Sequence, residues 1–251
     1  VEGLRGGRAA MIQKLHHTIA DGETSVQMSL QFLDFDRDAP EPAPIDPATI
    51  ERPDEATTVQ MNQDLVRDML AGSLRFPLGL LRQTRAAAKH LGGTLNTAFL
   101  TAAAEAAGRY HRELGAPVPE LRASMAVSTR TEDSGSNAFS LARMMVPTGD
   151  MPIAERFHAI QAASAMAKDS TSSSSLETLA TVAATLPTSL VTRLARQQAQ
   201  TVDFATSNVR GAPIPLFIAG AEILQNHPVG PLGGVAFNLT LLSYNHSLDM
   251  G

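Results

Sequence analysis

Cysteine is absent from the 251 residues, which removes disulfides, thiolate metal sites and a cysteine nucleophile together. Such a composition fits a reducing compartment. Basic residues are not in excess either: 20 Lys and Arg stand against 25 Asp and Glu, for a net charge of −5, so the footprint of a nucleic-acid binder is missing. Long apolar runs are missing as well. The longest, Ile214 to Leu224 and Val235 to Leu242, fall well short of the roughly 20 residues that a membrane-crossing helix needs. Nor does the chain carry Gly-x-x-x-x-Gly-Lys, Gly-x-Gly-x-x-Gly or Gly-x-Ser-x-Gly, so NTPases, dinucleotide-binding enzymes and α/β-hydrolases lose support.

What is present is a hydrophobic content of 43%, ordinary for a globular protein with a real core. Residues 9–17 suit a short strand, the Asp21-Gly22 pair a turn, and Val26, Leu30 and Leu33 a helix behind it. Pro40, Pro42, Pro44, Pro47 and Pro53, mixed with Asp and Glu, mark a linker or crossover loop. Helices are expected over 64–91 with a break at Pro77, over 94–114 with Gly115 as stop, over 153–169, and over 176–200 around Pro187. Strands are expected over 121–128, 138–147, 202–209, 216–224 and 234–244. The class is mixed α/β, or α+β. A basic tract, Arg67, Arg75, Arg82, Arg85 and Lys89 beside Leu74, Phe76, Leu78 and Leu81, suits either a lipid surface or an ordinary core-facing helix.

The chemistry-bearing feature is His16-His17-Thr18-Ile19-Ala20-Asp21-Gly22. Neighbouring residues of a strand point to opposite faces, so one imidazole at most looks into a given cleft. Two other readings of the residues stay open: half-buried structural histidines with Asp21 as a helix N-cap, or a zinc site, for which no further ligand cluster is visible.

The string His-His-x-x-x-Asp-Gly resembles the signature of the chloramphenicol acetyltransferase-like superfamily. Four later blocks, in order, resemble its wax ester synthase/diacylglycerol acyltransferase branch: Met125 to Arg130, Thr206 to Pro213, Pro228 to Leu232, and Leu241 to Asn245 with Leu248-Asp249. Two departures are visible. The family commonly has Asn-Asp where this chain has Asn96-Thr97, and Pro where it has Arg210.

The resemblance implies a two-subdomain fold around a central channel, with residues 1–35 ending the first subdomain, 36–63 a crossover and 64–251 the second, in a chain shorter than its relatives at both ends. It implies an acyl-CoA-dependent O-acyltransferase that esterifies diacylglycerol or a long-chain fatty alcohol without a covalent acyl-enzyme. The rivals are a condensation-type amide synthase fed by carrier proteins and a non-catalytic lipid-binding relative. By the same resemblance His17 is the general base, His16, Asp21 and Gly22 support it, and Asn208, Asn137, Ser243 and Asn96 are candidates to contact substrate. No cofactor is implied beyond acyl-CoA as co-substrate, and no metal or nucleic acid. The implied location is cytoplasmic, with peripheral contact at the inner membrane or lipid inclusions.

Losing a general base typically lowers the rate ~10²–10⁴-fold with the fold intact. His17→Ala is therefore expected to abolish thiol release from acyl-CoA at nearly unchanged melting temperature. His16→Ala and Asp21→Asn are expected to lose roughly 1–3 kcal/mol of stability first. A folded His17→Ala protein with normal turnover would sink the assignment.

Overall fold

A computed structural model describes residues 2–15, 22–41, 74–76, 78–128, 139–172, 193, 201–230 and 234–251. His16, His17, Asp21, Asn137, most of the proline-rich stretch and the helix expected over 176–200 lie outside the described residues.

The chain builds helix α1 (Gly22–Ser29), strand β1 (Leu74–Phe76), helices α2 (Leu78–His90) and α3 (Leu95–Glu113), strands β2 (Glu120–Ser128) and β3 (Phe139–Pro147), and helix α4 (Ile153–Ser172). Then follow β4 (Phe204–Arg210), the short pair β5 (Phe217–Ile218) and β6 (Ala221–Glu222), β7 (Phe237–Tyr244) and β8 (Ser247–Met250). Six strands form one mixed sheet in the order β1-β8-β7-β4-β2-β3. β4 is central and parallel to both neighbours, pairing Phe204 with Ala123 and Phe237, whereas the outer pairs are antiparallel.

Helices cover one face of this sheet. From β2 and β4 come Ala123, Met125 and Phe204, from β3 Ala142, Met144 and Val146, and against them pack Leu100, Ala103 and Ala104 of α3 and Ile160 and Ala167 of α4. Alanine dominates the contact face of α3, which lets that helix lie close to the sheet while keeping high helix propensity. The rings of Phe204 and Phe237 stack across the two central strands, 4.8 Å apart at 10°. β3 shows the alternation clearly: Ser140, Ala142, Met144 and Val146 are buried while Leu141, Arg143 and Met145 are exposed on the other face.

The register of the inserted strand is clamped just before it begins. Asp203 accepts hydrogen bonds from the Arg122 backbone N–H (2.7 Å) and Nε (3.1 Å), while its own N–H donates to the Arg122 carbonyl (2.8 Å). The Arg122 hydrogen bond, ahead of the opposing effect of burial, holds the Asp203 carboxyl below the usual carboxylate range.

Several expectations need correction. The strand expected over 9–17 carries no sheet ladder between Ala9 and Leu15; only an isolated Leu4–Arg8 bridge precedes it. Residues 74–76 are strand, not helix, because the residue before Pro77 is pushed out of the α region and β8 offers an edge to pair with. The run 216–224 is a tight hairpin, since Ala219 and Gly220 both take positive φ, with Ile223 N–H still donating to Leu216 O (2.9 Å) and Leu224 outside it. A further strand, β8, folds back after Asn245 and His246, both also at positive φ. In α2 Leu81 and Ala88 are buried while Arg82, Arg85 and Lys89 are exposed, as in an ordinary core-facing helix. No helix among the described residues is long and apolar enough to cross a membrane.

Behind the helices, Glu105 of α3 gathers three guanidinium groups: Arg109 at 2.8 Å, Arg112 at 3.1 Å and the fully buried Arg156 at 2.7 Å. Arg156 also donates to the carbonyls of Pro147 and Gly149, and Arg112 to that of Thr148, so the group ties the β3–α4 connection to α3. The Arg109 hydrogen bond, aided by the charges of Arg156 and Arg112 and opposed by burial, holds the Glu105 carboxyl below its usual range. Because the folded-state value is depressed, this stabilisation is present above the unfolded-state value of about 4.3 and is lost as pH falls through the lower folded-state value. Glu105→Gln is expected to cost about 3 kcal/mol at pH 7, since it strands the buried Arg156 charge. Chemical unfolding should show that deficit shrinking below about pH 4; a deficit independent of pH would overturn this account.

Candidate active site

Among the described residues the second face of the sheet meets only the short helix α1, on β4. It is the floor of a cavity of about 2160 Å³, walled by residues 2–15, by α1 and the chain just after it, and by a strap over 223–230. Each wall has an anchor. Ser29 Oγ lies 3.0 Å from Gln13 Oε1, joining α1 to the first segment. Asp34 and Phe217 exchange backbone hydrogen bonds (2.8 and 2.9 Å), and Arg37 stacks over the Phe217 ring, reaching Gly220 O and Glu222. The Tyr244 hydroxyl donates to Ile223 O (2.7 Å) and accepts from Leu216 N–H (2.9 Å), and buried Asp249 accepts from Asn226 N–H (2.9 Å). The described part of the block from Pro228 and the block with Leu248-Asp249 therefore belong to one strap and its mooring.

Gly22 opens α1 and faces β4. A Cβ there would stand 2.9 Å from Val209 Cγ2, closer than side chains tolerate, so only glycine lets α1 sit directly on the strand. The neighbour of Gly22 among the described residues is Val209. Leu15 and Gly22, the residues on either side of 16–21, both line the cavity. Gly211, just past β4, passes so close to the Ser243 carbonyl that a Cβ would overlap it at 2.3 Å. This explains the Gly in Asn208-Val209-Arg210-Gly211, and Arg210 is tolerated as an exposed strand residue paired with Ser243.

The sequence-selected polar residues separate. Asn208 lies on the cavity wall, exposed near the end of β4, but alternation turns its side chain to the same face as Phe204 and Thr206. Ser243 Oγ accepts from Gly211 N–H (3.2 Å), bracing the turn after β4. Asn96 sits on the helical side, its Nδ2 2.8 Å from Met125 Sδ. Thr97 fills the N3 position of a capping box with Thr94, accepting from the Thr94 N–H (3.4 Å) while the Thr94 hydroxyl accepts from the Thr97 N–H (3.2 Å). A Thr where the family commonly has Asp thus still closes the first turn of α3.

Sequence inspection missed the floor. From β2 it takes Ser124, Ala126 and Ser128, from β4 Ala205, Ser207 and Val209, and from β7 Asn238, Thr240 and Leu242. Placing Phe204 in the core and counting by twos would have turned Ser207 inward to the cavity. Around this polar floor Met11, Phe32, Leu141, Leu224 and Val229 present apolar side chains that are 46–58% exposed. Among the described residues no three His, Asp or Glu lie close enough together to hold a metal ion.

Comparison with known families decides the relationship. Residues 1–134 match the wax ester synthase/diacylglycerol acyltransferase catalytic domain, and residues 135–251 match the WS/DGAT C-terminal domain. The chain belongs to the wax ester synthase/diacylglycerol acyltransferase family. Among its relatives are Mycobacterium tuberculosis proteins named "Putative diacyglycerol O-acyltransferase". One is 28% identical over 302 residues, covering 97% of this chain and 61% of the relative. Another is 28% identical over 305 residues, covering 97% and 64%. The chain thus spans about three-fifths of the length of such relatives, and the matched spans exceed 251 residues, so the relatives hold internal residues that it lacks. The wax ester synthase/diacylglycerol acyltransferase from Marinobacter aquaeolei VT8 shares the fold, with a TM-score of 0.61 at 20% identity over 94% of this chain and 60% of that one. This places the family's mixed α/β fold on the sheet described above.

Gly22→Ala tests the contact between α1 and β4. In an open helix Gly→Ala stabilises by up to about 1 kcal/mol; here overpacking against Val209 is expected to destabilise by about 1–3 kcal/mol in urea unfolding. Adding Val209→Ala should restore part of the loss, and a stabilised single variant would show that the contact is absent.

Proposed function

We propose that the protein is an acyl-CoA-dependent O-acyltransferase that esterifies diacylglycerol or a long-chain fatty alcohol. The observation that carries this reading is that Leu15 and Gly22, which bracket the His16-His17 and Asp21 motif, both line one cavity whose floor is polar and whose rim is apolar. Its volume is well above the roughly 300–1,000 Å³ of a drug-sized pocket, as two long substrates meeting in one space require. Arg5, Arg8, Arg143 and Arg210 also line it and would suit the phosphates of coenzyme A.

In the proposed reaction His17 takes the hydroxyl proton as the alcohol oxygen attacks the thioester carbonyl. The tetrahedral intermediate collapses, the C–S bond breaks, and the thiolate recovers that proton from the imidazolium. Ester and free coenzyme A leave, with no acyl-enzyme and no other cofactor. Asp21 holds the motif loop. We place this chemistry in the cytoplasm, at the membrane surface or lipid inclusions where apolar acceptors collect.

The full-length protein, given palmitoyl-CoA with diacylglycerol and hexadecanol together, is expected to form both triacylglycerol and wax ester, with weak preference for the former. Thin-layer chromatography reads the products. A folded protein that forms neither would remove the activity.

A further inference from the structure

The cavity floor holds two hydroxyl groups that bond to nothing among the described residues. Ser124 of β2 and Ser207 of β4 both turn toward the cavity, and neither hydroxyl has a hydrogen-bond partner among the described residues. Thr206 of β4, facing the helices, donates instead to Ser124 O, and Ser247 of β8 donates to Tyr244 O. Ser124 is 5% exposed and Ser207 half-buried, so neither belongs to a freely solvated sheet surface. By register Ser124 is level with Ala205 and Ser207 is level with Thr240, which places the two serines diagonally on adjacent strands, with backbones roughly 7–8 Å apart.

Partly buried hydroxyls lacking a partner are costly beside an apolar ligand and useful beside one that brings acceptors. Resting on the acyltransferase reading above, the two candidate acceptors differ in this respect. In either of them the reacting hydroxyl is engaged by the base. A long-chain alcohol then has no polar group left, whereas diacylglycerol still carries two ester carbonyls. We propose that Ser207 and Ser124 donate hydrogen bonds to the ester carbonyls of a glycerolipid acceptor and thereby bias the site toward diacylglycerol over a plain fatty alcohol. Leu141, across β2 from Ala126, and the rim residues Val229 and Leu224 then lie along the acyl chains. The step is recognition only, with no bond made or broken at either serine.

The test uses the full-length protein and its Ser207→Ala, Ser124→Ala and double variants. Thiol release is measured with palmitoyl-CoA against dioctanoylglycerol and against hexadecanol, and calorimetry gives the affinity for dioctanoylglycerol and for octanol. One neutral hydrogen bond changes affinity by about fivefold. Each single variant is therefore expected to raise KM and Kd for dioctanoylglycerol about fivefold more than for the alcohols, with melting temperature unchanged. Equal losses for both acceptors, a change confined to palmitoyl-CoA, or no change at all would overturn the proposal. A wild-type protein that makes no ester would sink the acyltransferase reading instead, and the calorimetric comparison then decides the role of the serines by itself.

Discussion

The central strand β4 has to satisfy two faces at once, and the rest of the structure follows from how it does so. Its alternate residues are divided between a closed helical core, where Phe204 stacks on Phe237, and an open floor, where Ser207 and Val209 meet α1 and the cavity. A shift of one residue would exchange these faces, putting a phenylalanine in the cavity and a serine in the core. The ion pair of Asp203 with Arg122, reinforced by backbone hydrogen bonds on both residues, prevents that slip at the point where β4 enters the sheet. It is partly exposed, so its value lies in fixing geometry more than in net stability.

The polar clusters divide the labour. Glu105 with its arginines rigidifies the back of the helical layer, where a buried guanidinium is tolerable because carbonyls and a carboxylate surround it. On the cavity side the strap is moored by hydrogen bonds from side chains to its backbone, Tyr244 to Leu216 and Ile223 and Asp249 to Asn226. They hold the strap over the floor without filling the space beneath it. A cavity with apolar walls and a few oriented polar groups results from this division.

Much of the fold could be read directly. The alanine-rich stretch with Thr94 before it, the alternation in 139–147, and Gly115 as a stop each carry their own local cause, and the elements formed as read. The motif around His16 and His17, together with the later blocks, was enough to indicate the family. Less legible were the elements that need a partner. β1 exists because β8 is there to pair with, and β8 exists because Asn245 and His246 adopt positive φ, a choice that neither residue advertises as glycine would.

The candidate site divides along the same line. Residue type alone singled out Asn208, Ser243 and Asn96, but which face each occupies depends on strand parity and on the helix docked against it. Asn96 thus lies against Met125 on the core side and Ser243 braces Gly211. Serines are common and carry no local signal, so Ser124 and Ser207 became candidates only when the sheet aligned them on the face that floors the cavity. Local chemistry, in capping, alternation and the His16-His17 motif, was determined by the sequence itself. Which side chains share a cavity was decided by the tertiary structure, because that depends on the register of strands drawn from distant parts of the chain.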